Sequence, residues 1–211
     1  SRIDQYKVIG TIGRGGQGEV LHVEDDAGQE FALKWLLPHV VDRGSSDRLI
    51  REFQSISQLD HPGVIKVYDQ GSFQDRPYFT MELIKGESLD QYVRREKNLD
   101  MWYEILIQVC DALAYIHDHR LIHRDIKPTN ILLTEDRQVK IMDFGLVKNL
   151  DASLQLTITK KVLGTLTYSS PEQICAEKID HRSDIYSLGI LIYWMFSGKL
   201  PFSGKSLAAV V

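Results

Sequence analysis

The chain is poor in cysteine, with two in 211 residues, too few for a disulfide framework. Cys110 and Cys175 lie far apart without metal-ligand spacing, and Cys110 falls in an apolar helical stretch where it is expected as a small core residue. Such cysteine usage favours a reducing compartment and a cytoplasmic location, as a protein or as the cytoplasmic part of a larger one. No run of 18 apolar residues occurs, so no membrane-spanning segment is expected. The opening Ser1-Arg2-Ile3-Asp4-Gln5-Tyr6 lacks the apolar stretch of a signal peptide. Neither sign of charge is in excess: 25 basic against 29 acidic residues give a net charge of -4. A basic face for nucleic acid is therefore not expected. Arg94-Arg95-Glu96-Lys97 reads as a solvated helix end. Repeats and low-complexity segments are also missing. What is present is 43% hydrophobic residues, enough to bury a core in one large domain or in two small lobes sharing a cleft.

The first eighty-odd residues read as an antiparallel sheet with one helix. Residues 6–12, 19–24, 30–37, 64–68 and 78–83 are β-rich, and Asp25-Asp26-Ala27-Gly28 turns one strand into the next. Residues 46–59 carry Leu49, Phe53, Ile56 and Leu59 on one helical stripe, which His61-Pro62-Gly63 stops. Beyond Lys85-Gly86 the period becomes helical. A short helix over 88–95 has Ser88 as N-cap, and Asp100 caps a longer one striped by Trp102, Ile105, Leu106, Val109, Leu113 and Ile116. Residues 146–170 are polar and aperiodic and read as a functional loop. Residues 184–196 are apolar nearly all round, which requires a buried helix. The boundary falls at 83–86, giving domains 1–84 and 85–211.

The chemistry concentrates in His123-Arg124-Asp125-Ile126-Lys127-Pro128-Thr129-Asn130 and Asp143-Phe144-Gly145. Residues 131–133 and 139–142 are apolar runs around an Asp136-Arg137 turn, so a hairpin returns Asp143 to Asn130. Their hard oxygens suit magnesium. Asp125 can accept a hydroxyl proton, and Lys127 can neutralise charge on a transferred phosphoryl group. Upstream, Gly13-Arg14-Gly15-Gly16-Gln17-Gly18 lies between two strands. Its backbone can approach phosphate, although the run alone reads more readily as an ordinary hairpin turn. A strand follows, where a dinucleotide-binding fold needs a helix. Lys34 would be an ordinary exposed strand lysine in isolation. With the glycine loop before it and Glu52 on the following helix, it reads as a phosphate ligand steadied by that carboxylate.

In this order the motifs resemble a protein kinase of the eukaryotic-like (Hanks-type) serine/threonine class, with its bacterial members in particular, over residues 6–202. The resemblance implies an α+β, two-lobed fold with a sheet-based N-lobe and a mainly helical C-lobe. It implies ATP and Mg2+ as cofactors, a protein substrate, and room for a dimer in trans-autophosphorylation. Gly13, Gly15 and Gly18 then match the glycine-rich loop, Lys34 the strand lysine and Glu52 its helix partner. Glu82 and Ile84 match the hinge that bonds adenine, while Val20, Ala32 and Leu132 sandwich the ring. Asn130 and Asp143 hold metal, and Asp125 and Lys127 serve the acceptor hydroxyl. Ser170-Pro171-Glu172 stands for the A-P-E motif, and Asp184 begins the helix that anchors the catalytic loop.

Lys127 and Gly164-Thr165-Leu166-Thr167-Tyr168 favour serine/threonine over tyrosine specificity, with Thr165 bonding Asp125 and Lys127. Arg124 implies control by loop phosphorylation. Thr157 and Thr159 lie where bacterial relatives autophosphorylate; Lys161 occupies the position that many animal kinases phosphorylate. Departures are Gln17 at the loop tip, where an aromatic is common, and the lack of the arginine that pairs with the A-P-E glutamate. The start reads as excised and the end as stopping in mid-pattern, so the expectation is a fragment with an incomplete C-lobe. Trp194 and Ser88 replace acids of basophilic relatives, which implies no demand for substrate arginines. Two other readings stay open: a pseudokinase or nucleotide-binding scaffold, and a small-molecule phosphotransferase.

Overall fold

Alternating apolar residues in the first eighty positions give a six-stranded antiparallel sheet in the computed structural model, which describes residues 1–16, 18–37, 46–144 and 167–202, with side chains omitted for 46–49. Two units are distinguished, Ser1–Asp60 with Ile65–Lys85, and His61–Val64 with 86–144 and 167–202.

The first unit contains β1 (Arg2–Ile3), β2 (Tyr6–Arg14), β3 (Gly18–Glu24), β4 (Glu30–Leu36), α1 (Ser46–Ser57), β5 (Val67–Phe73) and β6 (Arg76–Met81). The strand order is β1-β2-β3-β4-β6-β5. Tyr6, Leu21, Val23, Phe31, Leu33 and Tyr78 form a buried cluster on this sheet. Tyr6 sets its ring edge-on to Phe31 and Tyr78, which such rings prefer. The Asp25 carboxylate accepts the backbone N–H of Ala27 and Gln29, closing the expected β3–β4 turn. On α1, Phe53 and Ile56 are buried as the stripe requires, and Leu59 is buried just beyond its end. The strand expected over 64–68 is displaced. Val64 makes only an isolated bridge to Ile141, and β5 extends to Phe73 because Asp69–Phe73 pair with β6. Their polar composition hid them.

The second unit contains β7 (Gly86–Ser88), α2 (Leu89–Arg95), α3 (Leu99–Asp118), a 3-10 turn (Pro128–Asn130), β8 (Ile131–Thr134), β9 (Val139–Ile141), α4 (Pro171–Ile174) and α5 (Arg182–Ser197). β7, β8 and β9 form an antiparallel sheet whose β8–β9 hairpin is the one expected. Ser88 is the N-cap of α2, as expected, and Gln91 completes a capping box with it. α3 instead begins two residues earlier than expected: Asn98 is the N-cap and accepts the N–H of Asp100 at 2.9 Å. Its stripe is buried from Trp102 to Ile116, but Cys110 sits on the opposite face and is exposed, contrary to its expected core position. α5 is likewise not buried all round. Ser183, Asp184, Ser187, Leu188 and Leu191 are buried, whereas Ile185, Tyr193 and Phe196 are exposed. No helix among the described residues is long and apolar enough to cross a membrane.

Candidate active site

The connection from α3 to the 3-10 turn, residues 121–127, has no regular structure, so its backbone groups need partners from elsewhere. Asp184, near the start of α5 and 1% exposed, supplies them. Its Oδ2 accepts the N–H of His123 at 2.8 Å and Nε2–H of His117 at 2.8 Å; its Oδ1 accepts the N–H of Arg124 at 2.8 Å. Burial pushes this carboxyl up, but the hydrogen bonds from His117, Arg124 and His123 outweigh it and hold it below the ordinary carboxylate range. These contacts hold Arg124 at φ 68°, a left-handed conformation that costs a non-glycine residue about 1–3 kcal/mol.

The strained turn delivers Asp125 into a polar cluster. Its Oδ2 accepts from Lys127 Nζ at 2.8 Å and from Asn130 Nδ2 at 2.8 Å, and its carbonyl accepts from the same Asn130 amide. Since the Asn130 nitrogen faces Asp125, its Oδ1 is turned the other way. The Asn130 carbonyl accepts the N–H of Met142 at 2.9 Å, so the hairpin brings Asp143 back beside Asn130. Asp143 itself has φ 58°. Asn130 and Asp143 thus offer one amide and one carboxylate oxygen, a donor set that fits magnesium when completed by phosphate and water. Among the described residues no three His, Cys, Asp or Glu side chains form a self-sufficient metal cluster.

His123 is fully buried, its ring packed on Phe144 with centroids 4.7 Å apart. Nδ1 accepts the N–H of Asp125 at 3.2 Å, so Nε2 carries the proton and donates to the Met142 carbonyl at 3.0 Å. The ring joins the loop to the strand end that leads to Asp143. Burial pushes its pKa down, against the pull of Asp184 and Asp125.

The segment from Tyr168 to Ile174 is fastened to α5 and to the loop. Ser187 Oγ donates to the Tyr168 carbonyl at 2.7 Å, and Ser183 Oγ donates to the Glu172 carboxylate. Glu172, whose arginine partner was expected to be missing, is thus held by a serine, and this bond lowers its pKa. Gln173 spans two segments: Oε1 accepts the N–H of Ser170 at 2.9 Å and Nε2 donates to the Arg124 carbonyl at 2.8 Å. His117, Ser183, Ser187 and Gln173 escaped the sequence reading. Helical spacing from Asp184 would have placed Ser187 on its face, but nothing local marks the tie of Gln173 to Arg124.

The remaining candidates lie chiefly in the first unit. Lys34 on β4 is buried beneath Val20 and Phe79 of the neighbouring strands in register, with Nζ 6.0 Å from the Phe79 ring centre. Glu52 is half-buried on α1, Ala32 is buried, and Val20 is half-buried. β6 ends at Met81, leaving Glu82 and Ile84 in an irregular stretch; the Glu82 N–H donates to the Lys66 carbonyl at 2.9 Å. Leu132 is half-buried on β8 of the second unit. The three loop glycines are not equivalent. A side chain on Gly13 or Gly15 would meet open space, whereas one on Gly18 would strike the Trp35 carbonyl across the β3–β4 pair. Gly18 is therefore required by strand packing itself. Gln17, Gly145, Thr157, Thr159, Lys161, Gly164, Thr165 and Leu166 lie outside the described residues.

Comparison with known proteins agrees with this geometry. The protein kinase domain model matches residues 6–210. A probable serine/threonine-protein kinase of Streptomyces coelicolor is 39% identical over 215 residues, covering 98% of this chain and 32% of the relative. Serine/threonine-protein kinase PrkC of Bacillus subtilis is 36% identical, with 98% and 32% covered. The chain thus spans about a third of the length of these curated relatives. The solved PknI kinase domain of Mycobacterium tuberculosis superposes with a TM-score of 0.78 at 27% identity, covering 98% of this chain and 78% of that one. With a matching family model over nearly all its length and a two-unit α+β fold like that of solved kinase domains, the chain belongs to the protein kinase domain family, among bacterial serine/threonine kinases of the Hanks type.

Proposed function

We propose that this chain transfers the γ-phosphoryl group of ATP to serine and threonine hydroxyls of proteins. The observation that carries the reading is the convergence of Lys127 and Asn130 on one oxygen of Asp125, with Asp143 returned beside Asn130 by the β8–β9 hairpin. Asp125 orients the acceptor hydroxyl and takes its proton. Lys127, ion-paired to Asp125, faces the charge that builds on the phosphoryl oxygens. Magnesium, held by Asn130 and Asp143, supplies charge neutralisation for the phosphates. Residues of the first unit bind nucleotide: Lys34, steadied by Glu52, for the phosphates; Gly13, Gly15 and Gly18 as backbone donors; Glu82 and Ile84 for adenine, with Val20 and Ala32 against its ring. Such catalysis rests on positioning and electrostatics. The first unit corresponds to the N-lobe and the second to the C-lobe.

Control by autophosphorylation at Thr157, Thr159 or Thr165, transfer in trans within a dimer, and a cytoplasmic site of action belong to the same proposal. They draw on the sequence pattern alone. Radiolabelled ATP tests the core of it: wild type incorporates label into itself or protein, and Asp125→Ala does not. Label in neither protein supports a nucleotide-binding scaffold instead, and transfer to small alcohols alone would reassign the substrate.

A further inference from the structure

We propose that Gln173 is a positioning residue of the catalytic loop, fixing the Arg124–Asp125 peptide through its side-chain amide. The inference rests on the kinase reading above. Arg124 holds its left-handed φ of 68° with both of its main-chain polar groups taken by side chains from outside the loop. Asp184 accepts its N–H at 2.8 Å, and Gln173 donates to its carbonyl at 2.8 Å. That carbonyl belongs to the peptide unit whose nitrogen is Asp125, so its orientation sets where the Asp125 side chain departs from the backbone. The other end of Gln173 is equally committed: Oε1 accepts the Ser170 N–H at 2.9 Å and lies 3.3 Å from the Ser170 hydroxyl, at the entry to α4. A donor partner at one end and an acceptor at the other settle which atom is nitrogen.

The simpler account makes Gln173 a helix cap. It occupies the third position of α4 after Ser170, where a capping box places Glu or Gln. Glutamate serves that role as well and suits the N-terminal dipole better. Only an amide can do both jobs, because a carboxylate has nothing to donate to the Arg124 carbonyl. Glu172, the preceding residue, is tied to Ser183, so the segment carrying Gln173 is itself anchored to α5. The loop is thereby gripped from both sides of Arg124, by α5 directly and by the segment leading out of residues 145–166.

The two accounts part at Gln173→Glu. In the full-length protein, kcat for autophosphorylation and for a degenerate serine/threonine peptide library is measured with KM for ATP, per folded molecule. A cap alone predicts unchanged kcat and an unchanged or raised melting temperature. Positioning predicts a kcat lowered about tenfold, as expected for a lost hydrogen bond with an acceptor set against an acceptor, with KM for ATP within about twofold. Gln173→Met, of similar volume and unable to donate, must fall in kcat likewise; it carries the test should the glutamate variant fold poorly. Wild-type kcat in both variants overturns the inference while leaving the kinase reading intact. A wild-type protein that phosphorylates nothing overturns the kinase reading, and this inference with it.

Discussion

Replacing Asp184 gives the sharpest test of how the second unit holds its loop. The buried carboxylate accepts three hydrogen bonds, from His117 and from the main chain at His123 and Arg124. A bond to a charged group contributes about 1.5–3 kcal/mol. In Asp184→Asn the oxygen can keep the His117 and His123 donors only if the new amino group faces the Arg124 N–H. One bond is then lost, a buried donor is left unpaired at about 1–3 kcal/mol, and the other two bonds lose their charge. Asparagine should therefore cost about 2–4 kcal/mol, and alanine about 3–6 kcal/mol, a large part of a typical ~5–15 kcal/mol. Urea denaturation measures it. Activity should fall with stability, because Arg124 loses the contact that opposes its strain. The acid limb gives a second readout. The folded carboxyl titrates below its ordinary value, so its stabilisation is full above that value and disappears as pH falls through the lowered one. That part of acid unfolding should be absent in asparagine. A loss under about 1 kcal/mol with unchanged kcat would refute the reasoning.

Further expectations concern other groups. His123 is buried neutral with a depressed pKa, so the unfolded chain binds more protons below about pH 6.5 and stability should drop as pH falls from there through the lowered value; His123→Phe should flatten the slope of melting temperature against pH, and an unchanged slope would contradict the burial of a neutral ring. Gly18→Ala should destabilise by about 1–3 kcal/mol through overpacking against Trp35. Gly13→Ala and Gly15→Ala should leave the melting temperature within about 2 °C while raising KM for ATP; equal melting shifts in all three would remove the distinction. Asp125→Asn should lower transfer at least about 100-fold while nucleotide binding, followed by fluorescence, persists. Peptide arrays should show no strong selection for arginine upstream of the acceptor, and a strong preference would contradict the reading of Ser88 and Trp194.

Sequence pattern was most legible where one force dominates. The β8–β9 hairpin, the α3 stripe and the N-cap at Ser88 each follow from local periodicity or chemistry, and they place Asn130, Asp143 and the start of α2. Reading failed where the deciding partner is distant in the chain. β5 is a strand because β6 pairs with its polar residues. Cys110 faces outward because a single helix is buried on one side, which composition alone did not resolve. The ties of Gln173 to Arg124 and of Ser183 to Glu172 cross 49 and 11 residues, and no window of sequence carries them.

Asp184 grips peptide N–H groups at His123 and Arg124, which every residue except proline possesses. Its hold is thus blind to which side chains the gripped positions display. Mutation can exchange those side chains, or the reactive groups further along the turn, without first dismantling the clasp. Clasp and reagent are thus separate parts of one loop, so substitution can alter its chemistry while Asp184 keeps its hold.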